Sequence, residues 1–309
     1  MKVAIIGGYG GLGSTTAFCL GYHNVVDEIK LLGRRQNMLK SHAVDMGQAF
    51  LPVGKTKVTP ADYPDIRDCD IILCCASVPE GKVKDRSDIF GANIEVMVPI
   101  CEKIRQYGNP NAAVIISSAP IDVWAYCFWK LIGWKPNQFL GFCVNDELRF
   151  KWAIEEVTGK AFEKLDATVI GEHGGDGMVR LYDQIKYDGK PFALTAEERA
   201  KVEALTTNWF QEWQALEAGR TTTWTSGVML SRMVQLMVEE SDEIIPASTP
   251  LAGEFGFEGV AMGMPCRLGK GGVREVVDPH FTEDQLRQLA RTTAKLKGQI
   301  AQVPMENVG

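Results

Sequence analysis

A glycine-rich turn that begins at residue 7 constrains this chain more than any other feature. Lys2-Val3-Ala4-Ile5-Ile6 is a continuous apolar run suited to a strand covered on both faces. It passes directly into Gly7-Gly8-Tyr9-Gly10-Gly11-Leu12-Gly13. The turn holds G-x-G-x-x-G at Gly8, Gly10 and Gly13, and G-x-x-G-x-x-G at Gly7, Gly10 and Gly13. Glycines there let the backbone turn tightly and approach a pyrophosphate, which then sits on the N-terminus of the next helix. A plain tight turn would need none of this context. Strand before, helix after and a βαβ unit around it predict a dinucleotide site contacted by Gly7, Gly8, Gly10, Gly11, Leu12 and Gly13.

The βαβ rhythm continues. Strands are expected at 29–32, 56–58, 70–75 and 113–117, with helices at 38–50, 87–107 and after Pro120. That pattern predicts an α/β fold, a Rossmann doubly wound parallel sheet. The second half reads differently. Helix 146–157 leads to a strand at 167–170, a hairpin turn at Tyr187-Asp188-Gly189-Lys190, and two long helices at 196–216 and 224–240. Strands near 244–248, 260–266 and 273–277 precede a helix from Thr282. The expected division is a dinucleotide-binding domain at 1–143 and an α+β catalytic or substrate domain at 144–309. A length of 309 residues suits two such lobes at about 150 residues each.

Composition excludes several classes. Apolar residues are 45% and charged residues 23%, ordinary for a globular chain, and a net charge of −6 gives no basic footprint for nucleic acid or an anionic membrane. The longest apolar stretch, 112–129, is interrupted by Ser117, Ser118, Pro120 and Asp122, so no membrane span is expected. The glycines also break any leader-like run at the start. Eight cysteines without a C-x-x-C read as reduced thiols of a cytoplasmic protein, with no metal site.

After the second strand, the carboxylate that would hold the ribose hydroxyls of NAD is missing. The residues are Leu31-Leu32-Gly33-Arg34-Arg35. Two guanidinium groups favour a 2′-phosphate through charge-assisted hydrogen bonds. NADP is the expected cofactor, with Gly33, Arg34 and Arg35 at its ribose. NAD is the alternative if the arginines are only solvated.

Asp146-Glu147-Leu148-Arg149 and Gly171-Glu172-His173-Gly174 resemble the D-x-x-R and G-E-H-G motifs of the malate/L-lactate dehydrogenase family. Val78-Pro79 through Arg86 to Asn93 resembles its substrate loop, Ala43-Val44-Asp45-Met46 its A-x-D-L element, Pro120-Ile121-Asp122 its N-P-x-D, and Gly269 to Val273 its late glycine turn. The resemblance implies hydride transfer between a nicotinamide and a 2-hydroxy/2-oxo acid, in a homodimer or homotetramer. His173 would be the acid/base, with Asp146 holding its other ring nitrogen. Arg149, three residues on and so on the same helix face, would grip the substrate carboxylate. Arg86 would polarise the carbonyl. Asn93, Trp224 and Thr225 would line the substrate pocket. Glu172 would be a local structural residue. Trp124, Trp129, Trp152, Trp209 and Trp213 read as core or interface residues, and His23, His42 and His280 as surface or packing residues.

Four departures bear on specificity. Gly33 lacks the carboxylate. Glu80 stands where the malate branch has an Arg for the distal carboxylate. Two like charges about 4 Å apart at an effective dielectric of about 20 cost about 4 kcal/mol, enough to reject a diacid if Glu80 points inward. The alternatives are a loop register that presents Lys82 or Lys84 instead, or a solvated Glu80. Ala119 replaces the Asn of N-P; either Ser118 substitutes beside the nicotinamide, or the site fits a different substrate. The turn after His173 has one extra residue. Two further readings follow: a reductase for a keto acid or imine with a cationic side group, and a nucleotide-binding sensor or scaffold without turnover.

Overall fold

The computed structural model describes residues 1–78, 86–220 and 222–305, with the backbone alone at 86–89. Its first half runs β1 (Lys2–Ile6), α1 (Gly11–Tyr22), β2 (Glu28–Leu32), α2 (Gln36–Phe50), β3 (Lys57–Pro60), β4 (Ile71–Cys74), α3 (Arg86–Tyr107), β5 (Ala113–Ile116), α4 (Ile121–Ile132) and β6 (Phe139–Gly141). These six strands are parallel and ordered 3-2-1-4-5-6. β4 and β5 are buried at every position, as a sheet covered on both faces requires. Strand order reverses between β1 and β4, and the glycine turn leaves β1 at the carboxyl end of that reversal. Ligands of doubly wound sheets bind at this crevice.

The second half runs α5 (Val144–Thr158), β7 (Leu165–Asp166), β8 (Val169–Gly171), β9 (Met178–Arg180), β10 (Lys186–Tyr187), β11 (Lys190–Pro191), α6 (Ala196–Ala215), α7 (Thr223–Glu239), β12 (Ile244–Ala252), β13 (Glu258–Gly269), β14 (Gly272–Val276) and α8 (Glu283–Ile300). The doubly wound parallel sheet is present, with helices and antiparallel strands after it, as the pattern predicts. The sheet does not stop at β6. It continues antiparallel through β12, β13, β8 and β9, with β14 also on β13. Two single-pair bridges carry that continuation, Ser248 with Gly141 and Gly263 with Gly171. β7, β10 and β11 form a separate small sheet over a second core that includes Phe150, Ile154, Val169 and Val202.

Two helices from different halves meet closely. A side-chain carbon on Gly11 of α1 would lie 2.8 Å from Thr223, and one on Gly227 of α7 would lie 2.5 Å from Thr15. Carbon atoms need about 3.5–4.0 Å, so each glycine lets a threonine side chain of the other helix lie directly against its backbone. α6 and α8 each open on a reciprocal cap, Thr195 with Glu198 and Thr282 with Gln285. Among the described residues, no helix is long and apolar enough to cross a membrane, and no group of three His, Cys, Asp or Glu side chains could hold a metal.

Candidate active site

The glycine turn supplies one side of the site. Gly7 has φ +87°, a conformation that favours glycine, and the N–H groups of Gly7 and Gly8 both donate to the Leu32 carbonyl at 2.9 Å. A side-chain carbon on Gly13 would fall 2.4 Å from the Gly7 carbonyl oxygen, so the helix can sit this close to the turn only without one. α1 begins at Gly11, its cap residue Gly10 offers no side-chain acceptor, and no acidic residue occupies its first turn. The N-terminal N–H groups of α1 are thus left to an external anion. This cradle fits a dinucleotide pyrophosphate. Gly33 follows β2, and Arg34 and Arg35 beside it are exposed.

α5 and the β8–β9 turn supply the other side. His173 Nδ1 lies 2.7 Å from Asp146 Oδ2. The same oxygen accepts the Gly174 N–H at 3.3 Å, and Arg149 lies 3.6 Å from the other carboxylate oxygen. Burial raises the Asp146 carboxyl, but His173 and Arg149 outweigh it and hold it below its ordinary value. Asp146 is therefore ionised at neutral pH and accepts only. Nδ1 then carries the hydrogen in that bond, which leaves Nε2 to exchange a proton. For His173, burial disfavours the imidazolium, but the Asp146 carboxylate outweighs burial and the pKa stands above 6.5.

Sequence reasoning placed Asp122 only within a motif. The structure puts it beneath His173. Asp122 is buried, and its Oδ2 accepts the His173 backbone N–H at 2.8 Å. Its other oxygen has no hydrogen-bond partner among the described residues. Burial pushes its carboxyl up to about 6. Proximity to His173 across 51 residues left no signal in spacing.

Of the core-or-interface reading for Trp209 and Trp213, the chain shows only that neither is fully buried. Both are half-buried on α6, stacked 5.6 Å apart. The Arg149 guanidinium lies 3.8 Å from the centre of the Trp209 ring. Arg220 then spans Trp213 and Trp224 at 5.2 and 4.3 Å. Trp124 is a true core residue, fully buried on α4.

Trp224 is 68% exposed on the first turn of α7, and Thr225 beside it is half-buried. Their neighbour Ser226 accepts a hydrogen bond from Asn145 at 2.8 Å, which ties α7 to α5 next to Asp146. Asn93 is 1% exposed, and its amide accepts from the Val78 N–H and donates to the Ala119 carbonyl. It anchors two segments behind the site. Ser118 is buried and its hydroxyl donates to the Ala76 carbonyl, which joins the ends of β4 and β5. Glu172 pairs with Lys295 at 2.8 Å and accepts the Gly177 N–H at 3.1 Å, so the enlarged turn after His173 folds over a committed carboxylate. Glu80 and the Arg86 side chain lie outside the described residues.

Two family models cover almost the whole chain. One described as lactate/malate dehydrogenase, NAD binding domain, matches residues 1–141. The other, lactate/malate dehydrogenase, alpha/beta C-terminal domain, matches residues 145–306. Malate dehydrogenase of Halobacterium salinarum is 26% identical, over 98% of this chain and 99% of its own. Malate dehydrogenase of a Nitratiruptor species is 29% identical, over 96% of this chain and 94% of its own. Among solved structures, malate dehydrogenase from Aeropyrum pernix superposes with a TM-score of 0.90 at 25% identity, covering 98% of each chain. The minor L-lactate dehydrogenase from Enterococcus mundtii gives 0.90 at 22%, covering 99% of each, a likeness of fold alone.

Proposed function

The chain belongs to the lactate/malate dehydrogenase family, hydroxy acid dehydrogenases that act on the CH–OH group, and on that premise we propose that it is an NADP-preferring 2-hydroxy/2-oxo acid dehydrogenase run by a His173–Asp146 acid/base pair and an Arg149 carboxylate clamp. The observation that carries this reading is the Asp146 carboxylate, set between His173 at 2.7 Å and Arg149 at 3.6 Å. One side chain thereby fixes the proton donor and orients the group that would hold the substrate.

A dinucleotide held by its pyrophosphate at the glycine turn would supply or accept the hydride through its nicotinamide. The protein handles the proton. In reduction, protonated His173 gives its Nε2 proton to the substrate oxygen as hydride reaches the carbonyl carbon. In oxidation, neutral His173 takes that proton back. Asp146 holds the tautomer that leaves Nε2 outward and stabilises the imidazolium. Asp122 fixes the backbone beneath the ring. Arg149 offers two parallel N–H groups to the substrate carboxylate, so a reacting carbonyl beside it would face His173. Arg86 keeps its expected role of polarising the carbonyl, and Trp224 and Thr225 form the side-chain wall.

Gly33, Arg34 and Arg35 support NADP over NAD. In this reading residues 1–143 hold the cofactor, residues 144–309 carry the substrate side, and the working form is a homodimer or homotetramer. The test follows NADPH and NADH oxidation separately over 2-oxo acids with acidic, neutral, aromatic and cationic side chains. We expect turnover with NADPH that falls about 10³-fold or more in His173→Asn. A mutant as fast as the wild type would overturn the His173 assignment. Faster reduction of oxaloacetate with NADH than of any other pair would overturn the specificity.

A further inference from the structure

We propose that Tyr9 is the specificity-determining partner of Gly33, its ring filling the space that a ribose-binding carboxylate at residue 33 would need. The proposal rests on the reading of the glycine turn as a dinucleotide site and names the residue that sets which ribose the site accepts. A side-chain carbon on Gly33 would lie 2.6 Å from Tyr9 Cε1 and 2.7 Å from Cδ1. Carbons in contact stand about 3.5–4.0 Å apart, so even an alanine collides with the ring. The missing carboxylate at 33 is therefore one half of a pair, and the aromatic ring inside the glycine turn is the other.

The two halves cannot drift apart as backbone. The N–H groups of Gly7 and Gly8 both bond the Leu32 carbonyl at 2.9 Å, which pins the turn to the end of β2 one residue before Gly33. Tyr9 is half-buried and packs on the main core, and its carbonyl oxygen lies 3.4 Å from His42 Nε2 on α2. Relief must come from the Tyr9 side chain itself, at the expense of that packing. A ring at this position removes the acceptor that a free ribose 2′-hydroxyl would use. It also removes the charge that would repel a 2′-phosphate, and the exposed Arg34 and Arg35 follow directly. The ligand class is a dinucleotide with a phosphorylated adenosine ribose.

A double-mutant cycle tests the pair. Wild type, Gly33→Asp, Tyr9→Ala and the double variant are compared in two ways: thermal midpoint without nucleotide, and Kd for NADPH and NADH from nucleotide fluorescence. Gly33→Ala provides a milder collision, and Tyr9→Phe separates the ring from its hydroxyl. We expect Gly33→Asp to lower the midpoint by several degrees and to weaken both nucleotides while Tyr9 is present. With Tyr9→Ala, the same change should leave the midpoint intact and tighten NADH about tenfold. Tyr9→Phe should behave as the wild type. If Gly33→Asp has equal effects in both backgrounds, the proposal is overturned while the cofactor site stands. If the wild type binds neither nucleotide, the site reading falls and takes the proposal with it.

Discussion

At His173 two effects oppose each other. Burial favours the neutral ring, and the adjacent Asp146 carboxylate favours the imidazolium and prevails. The folded pKa of His173 is above its unfolded value, so this contribution to stability is complete below pH about 6.5 and fades as pH rises through the folded value. Asp146 runs the other way. Its folded pKa is lowered, so its contribution is present above about 3.9 and is lost as pH falls through the folded value. We predict that Asp146→Asn lowers the His173 pKa, read by NMR titration of the ring, because burial is then less opposed. An unchanged titration would show that the 2.7 Å contact is not what sets it.

Asp122 makes the opposite contribution to stability. Its carboxyl is raised to about 6 by burial, so its charge destabilises the fold at pH 7 and the penalty disappears as pH falls towards 4. Keeping that charge buried costs about 3 kcal/mol. Asp122→Asn keeps an oxygen for the His173 N–H and removes the charge. The variant should melt above the wild type at pH 7, with the gap closing near pH 4, and calorimetry across that range decides it.

Helix α5 carries Asp146 and Arg149 on one face, and that much was legible in the D-x-x-R spacing. What lies over the face was not. Trp209 belongs to α6, and aromatics on a helix read from sequence alone as packing. The pairing of α5 with α6 turns Trp209 into a plate beneath the Arg149 guanidinium. A cation over an aromatic face is worth about 0.5–2 kcal/mol. Trp209→Leu should therefore raise the KM for the 2-oxo acid by about 2- to 30-fold with little change in kcat, while Trp209→Phe should restore most of the affinity. A fall in kcat at constant KM would mean that the ring serves something other than the clamp.

Across the whole molecule, the parallel half was readable because each strand is a short apolar run set off by a helix of clear period. β6 and β9 escaped because three residues are too few to show alternation. The joining of both halves into one sheet escaped as well. It depends on the single pairs Ser248–Gly141 and Gly263–Gly171, and a lone glycine carries no pattern. The His173–Asp146–Arg149 cluster was legible through its motifs. Its buried support, Asp122 and the Asn145–Ser226 bond, was invisible because each partner is far away in sequence.

The close approach of α1 and α7 governs how this chain can be recombined. A cut near residue 143 looks like a natural seam, yet the helix that would cradle a pyrophosphate and the helix that would wall the substrate pocket share a contact with no spare room. A chimera that joins residues 1–143 to the second half of a relative inherits a foreign surface against Gly11 and Thr15. We expect such a graft to melt well below both parents, and to recover when residues 223–239 travel with the first half. Thermal melts of the two grafts measure it. For the engineer, the unit of exchange is the helix pair and not the lobe.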